Sequence, residues 1–140
     1  MQEQALFVIP LSLLLIAIVA VAFLVLTGKR GTSLDVRKYQ SRWLAIENSL
    51  ESNNISSYTL AIFEADKLLD SALKESHIKG QTMGERMKTA QNSWRNANHI
   101  WSAHKIRNRL AHETDVTLSR DTALRALSAY KQGLKDLGAI

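Results

Sequence analysis

Residues Ala5 to Thr27 form a run of 23 in which Ser12 and Thr27 are the only polar side chains and none is charged. As a helix rising roughly 1.5 Å per residue, such a run spans about 35 Å, more than the roughly 30 Å of a bilayer's hydrocarbon core. The run predicts a transmembrane helix over residues 5–27, with Pro10 near one end, where a missing backbone donor does least harm. A cleaved signal peptide would explain Ala20-Val21-Ala22. Phe23 to Leu26 continue the apolar run past that triplet, however, and the N-terminus carries Glu3 without a cation. A core helix this uniform is out of place in a chain of 140 residues.

The flanking charges orient the span. Glu3 precedes it, whereas Lys29, Arg30, Arg37, Lys38 and Arg42 follow. By the positive-inside rule this predicts a single-pass membrane protein with residues 1–4 outside and the lipid bilayer holding residues 5–27. Residues 28–33 form a juxtamembrane linker and residues 34–140 a cytoplasmic domain. The absence of cysteine agrees with a reducing compartment.

Beyond the run the charges are unevenly spread. Residues 29–42 carry five cations and one acid, which suits an anionic lipid surface. Residues 43–85 hold seven acids and three cations. Residues 86–109 hold six cations (Arg86, Lys88, Arg95, Lys105, Arg107 and Arg109) and no acid.

The same part of the chain reads as helix throughout. Val36, Tyr39, Trp43, Ile46 and Leu50 recur at steps of three and four, behind Ser33 as N-cap. A second helix starts near Ser57, carries Ala61, Ala65, Leu68 and Ala72, and stops at Gly80. Thr82-Met83-Gly84-Glu85 has capping-box spacing and opens a short third piece. Residues 93–98 leave open whether the chain turns or runs on. A helix over Asn98–His112 follows, then a last one capped by Ser119 or Asp121, with its seam at Leu124, Leu127, Tyr130, Leu134 and Leu137. No strand-like alternation occurs. The expected fold is all-α: the transmembrane helix, then a bundle of four main helices and one short extra piece. Trp43, Trp94 and Trp101 are candidates for its core.

The helix ending in "HKIRNRLAHE" is the chemically loaded one. At about 100° per residue, Ala103, Ile106 and Leu110 share an apolar stripe. Trp101, His104, Asn108 and Ala111 lie roughly opposite, flanked by Arg107 on one edge and by Lys105 and His112 on the other. That second face suits a polar pocket or a dimer contact through Trp101, His104 and Asn108.

Arg107-Asn108-Arg109-Leu110-Ala111-His112 resembles the R-x4-6-H signature of the HEPN superfamily of small helical domains. The position late in the bundle and the polar second residue also match. The resemblance covers nearly all of residues 34–140. It implies a homodimer that is either a metal-independent ribonuclease or a domain that only binds partners. It casts His112 as acid–base residue, Arg107 as phosphate ligand and Asn108 as orienting hydrogen-bonder, with His104, Lys105 and Arg109 as auxiliary groups. Cleavage through the substrate's 2′-hydroxyl needs a base, an acid and a cation for the phosphorane, which imidazole and guanidinium supply. Neither a cofactor nor a metal is expected, because the chain has no phosphate loop, HExxH or cysteine. The bland alternative is that His112 caps its helix and Arg107 and Asn108 tie it to acids of the second helix. Two readings follow: a membrane-anchored domain that binds and cleaves RNA, or a non-catalytic tethered adaptor that docks a protein.

Overall fold

The computed structural model describes residues 16–21 and 34–140. The chain divides into two units, residues 1–31 and 32–140.

In the first unit, residues 16–21 are helical and Ile16, Ile18, Val19 and Val21 are exposed. Among the described residues no helix is long and apolar enough to cross a membrane. This corrects the expectation of a transmembrane helix over 5–27. The single-pass topology, the outside N-terminus, the cytoplasmic placement of residues 34–140 and the bilayer as partner lose the span on which they rested. The rest of the run and the 28–33 linker lie outside the described residues.

The second unit is all-helical among its described residues: α1 (Val36–Asn48), α2 (Ile55–Glu75), α3 (Met83–Thr89), a 3-10 turn (Gln91–Ser93), α4 (Ala97–His112) and α5 (Arg120–Asp136). Each helix opens on a side chain that accepts a backbone N–H of its first turn: Asp35 from Lys38, Asn54 from Ser56, Thr82 from Glu85, Asn96 from His99 and Ser119 from Thr122. Asp35 rather than Ser33 caps α1, and α2 starts two residues before Ser57 because Asn54 offers the earlier acceptor. The capping box is partly open, since Glu85 reaches the Gln81 N–H at 2.6 Å instead of that of Thr82.

The chain turns between α3 and α4. The short 3-10 turn ends at Trp94, which is extended and buried. Helix α2 ends at Glu75 rather than at Gly80, because His77 adopts a left-handed φ of 54° and Ile78 N–H returns to Leu73 O at 3.0 Å. Gly80 serves the following loop. At φ 154° a Cβ there would sit 2.6 Å from the Arg86 backbone nitrogen.

Helix α2 is central and packs against α1, α3, α4 and α5, while α4 packs on α5. Its buried face repeats Tyr58, Ala61, Ile62, Ala65, Leu68, Leu69, Ala72 and Leu73. Tyr39, Trp43 and Ile46 of α1, Met87, Ile100 and Ala103, and Ala123, Ala126, Leu127, Tyr130 and Leu134 of α5 complete the core. Trp43 and Trp94 are core residues, whereas Trp101 is half-buried. The α5 seam is shifted from the sequence expectation: Leu124 is exposed and alanines 123 and 126 take its place.

Candidate active site on helix α4

One acid sits among the apolar residues of α2. Asp66 follows Ala65 and precedes Leu68 and Leu69, so helical geometry turns it inward. It is 5% exposed. A buried carboxylate is tolerated only when its oxygens find donors. Tyr130 of α5 donates its hydroxyl to Asp66 Oδ1 at 2.8 Å, and His104 Nδ1 of α4 lies 2.7 Å from the same oxygen. Arg107 Nε lies 3.3 Å from Oδ2. This last contact is an ion pair rather than a hydrogen bond, since the buried Nε–H makes none. Three helices therefore meet on one carboxylate.

The carboxylate fixes its neighbours. A carboxylate oxygen accepts, so His104 Nδ1 is the donor in this contact and Nε2 is turned away from Asp66. The tyrosine is held neutral. Burial, then the Asp66 charge and the hydrogen bond to it, push the Tyr130 hydroxyl far above its ordinary range. Arg107 is steered from two more sides: its guanidinium stands 5.2 Å from the centre of the Phe63 ring, and Nη1 donates to Asn108 Oδ1 at 3.1 Å. Trp101 meets the His104 ring edge-on, with centroids 6.2 Å apart.

The residues singled out by sequence thus divide. His104, Arg107 and Asn108 come together beside Asp66, with Trp101 along the edge. Lys105, Arg109 and His112 are exposed on the outer side of α4, His112 at its last position. Arg109 Nε pairs with Glu113 at 3.2 Å, and Lys105 has no ion-pair partner among the described residues. Five residues along a helix give about 7.5 Å of rise and a rotation of about 140°. Arg107 and His112 therefore do not converge within one chain.

The basic segment 86–109 is also more neutralised than its composition suggests. Arg86 is buried and pairs with Asp70 at 2.7 Å, and Arg95 pairs with Asp136 at 3.1 Å. Only Lys88 and Lys105 of its six cations lack an ion pair among the described residues.

Asp66, Tyr130 and Phe63 are site residues that the sequence reading missed. A signal for Asp66 existed: Ile62, Asp66, Leu69 and Leu73 form one helical row, so the acid occupied a core position. Tyr130 was placed in the α5 seam, where a buried hydroxyl needs a partner.

Compared with known proteins, the chain matches no family model, no curated protein and no solved structure.

Proposed function

We propose that residues 34–140 form an RNA-binding domain that, as a two-fold homodimer through the Trp101, His104 and Asn108 face of α4, cleaves single-stranded RNA without a metal. The observation that carries this reading is the Asp66 cluster, which pre-orients an imidazole and a guanidinium side by side at the edge of that face. Arg107 is about one-third exposed and its Nη2 has no partner among the described residues, so it retains donors for a phosphate. His112 stands exposed at the last position of α4, outside the Asp66 cluster. In this reading Arg107 holds the scissile phosphate, Asn108 keeps the guanidinium oriented, and histidines move the protons.

Binding of a fluorescent single-stranded RNA by the full chain, titrated over a range of salt, tests the reading. Affinity should fall as salt rises, because phosphate contacts release counterions. Arg107→Ala should weaken binding and reduce the slope. RNA binding that is absent at low salt, or indifferent to Arg107, overturns it.

A second reading, a non-catalytic adaptor, has one observation in its favour. A largely apolar groove of about 250 Å³ runs between α1 and α2, lined by Ile46, Leu60, Ala61 and Leu68. Arg42 and Lys67 stand on its walls with a single acid, Glu64, and none of the three has an ion-pair partner among the described residues. That chemistry fits an amphipathic helix whose apolar stripe is bordered by acids. Leu60→Asp should abolish capture of such a helix while sparing RNA binding. RNA-independent activity that tolerates Leu60→Asp removes this alternative.

A further inference from the structure

We propose that the groove between α1 and α2 is a binding site for a small amphiphilic anion, a single unbranched apolar chain ending in a carboxylate. The proposal is independent of the RNA-cleaving reading and competes with the adaptor reading for the same groove.

The groove follows from side-chain size. Along it α1 and α2 each contribute an alanine, Ala45 and Ala61, too small to fill the space between the helices. Ile46 and Leu68 are buried beside them, and Leu60 stands at the rim, 61% exposed. Covering a leucine that exposed with a ligand's apolar chain removes it from water, which favours binding. The volume of about 250 Å³ lies just below the roughly 300–1,000 Å³ of pockets for drug-sized ligands. It suits one alkyl chain rather than a two-chain lipid.

The polar groups are sorted along the groove. The Lys38–Glu75 ion pair joins the start of α1 to the end of α2, so the two helices run antiparallel. Arg42 is the first lining residue on α1, and Lys67 is among the last on α2, so both cations belong to one end. Glu75, the acid beyond that end, is taken by Lys38. At the other end, beside the turn between the helices, Ser49 spends its hydroxyl proton on Ile46 O at 2.8 Å. Glu64 falls between the two ends at an exposed position, where it repels an anionic head. One end therefore offers charged donors, and the remainder offers apolar contact.

That order fixes the ligand and its direction. A guanidinium and an ammonium both make charge-assisted hydrogen bonds to a carboxylate. The head lies against Arg42 and Lys67, and the tail runs past Ala45 and Ala61 towards Leu60. None of these residues belongs to the Asp66 cluster, so the two sites can be tested separately.

The test titrates octanoate into the isotope-labelled full chain, below the concentration at which octanoate forms micelles, and follows the amide NMR signals. The amides of Ala45, Ala61 and Leu68 should shift and saturate. Octanol, with the same chain and no charge, should bind about tenfold more weakly, the order expected for one charge-assisted hydrogen bond. Acetate, the head without the tail, should give no saturating shift. Arg42→Gln combined with Lys67→Gln should lower octanoate affinity to that of octanol and leave octanol unchanged. Ala45→Phe, at an exposed position, should fill the groove and abolish binding of both while far-UV helicity stays at the wild-type level. Equal affinity for octanoate and octanol overturns the proposal, as does binding that survives Ala45→Phe or shifts confined to α4 and α5. An acidic amphipathic peptide that shifts these amides where octanoate does not also overturns it, and returns the groove to the adaptor reading.

Discussion

His104 Nδ1 and Asp66 Oδ1 stand 2.7 Å apart, and Tyr130 reaches the same oxygen from the opposite helix at 2.8 Å. Removing that carboxylate strands a buried hydroxyl and a buried guanidinium nitrogen together. Asp66→Ala should therefore destabilise the domain by about 3–5 kcal/mol, the usual cost of breaking a buried charged network on one side. Asp66→Asn keeps one acceptor oxygen and should cost less. Chemical denaturation of the two variants checks this, and a loss below about 1 kcal/mol for Asp66→Ala would mean that the network adds little to stability.

The tyrosines set an alkaline limit. Burial pushes the hydroxyls of both Tyr39 and Tyr130 above their ordinary value, aided by Glu75 and Asp66 respectively. A raised folded pKa means that above about pH 10 the unfolded chain loses protons that the folded chain retains. Stability should be intact below pH 10 and fall progressively as pH rises past it. At least two of the three tyrosines should give no phenolate absorbance until the domain unfolds. Tyr130→Phe should flatten the decline. Phenolate absorbance from more than one tyrosine of the folded domain at pH 11 would contradict the burial assigned to Tyr39 and Tyr130.

Packing between α4 and α5 yields a contrast between two isoleucines. Ile100 is 1% exposed, and a Cβ on Gly133 would come within 3.1 Å of its Cδ1, so α5 approaches closely there. Ile106 is only partly buried. Ile100→Ala should cost about 2–5 kcal/mol, and Ile106→Ala distinctly less. Equal losses would show that the two sites are packed alike.

How far the sequence carried can be judged from these same residues. Helical periodicity placed α1, α2, α4 and α5 because each buries a stripe at steps of three and four. Ser119 and Thr82 were readable as caps because a hydroxyl stood just before a helical pattern. The apolar stripe of α4 came out one turn late: Ile100 and Ala103 carry its core contacts, and Ile106 and Leu110 are half-buried. A wheel gives relative angles within one helix but not the position of its neighbours. The same limitation hid Asp66, whose partners lie 38 and 64 residues away. Net charge misled for a related reason. A count of cations over 86–109 does not reveal that Arg86 pairs with Asp70 and that Arg107 Nε lies against Asp66, both acids of α2. The apolar run at 5–27 is read by length and hydropathy alone, and among the described residues no helix is long and apolar enough to cross a membrane.

Association should depend on the outer face of α4. Ala111 is exposed and lies on the same side as His104 and Asn108, near the end of the helix. Ala111→Glu should leave melting nearly unchanged, since surface substitutions usually shift stability by less than ~0.5 kcal/mol. It should also lower dimer population in sedimentation and reduce cleavage in parallel. A variant that stays dimeric and active places the contact elsewhere.

The most direct measurement incubates the full chain with single-stranded RNA in EDTA and identifies the ends it produces. The expected result is cleavage that leaves 2′,3′-cyclic phosphate and 5′-hydroxyl ends, and that ceases when the 2′-hydroxyl is replaced by hydrogen. Arg107→Ala and His112→Ala should abolish it while far-UV helicity stays near wild type; melting should be unchanged for His112→Ala and lower for Arg107→Ala, which takes a charge partner from the buried Asp66. RNA left intact by the wild type, or cut equally well by both variants, would contradict an RNA-cleaving site on α4.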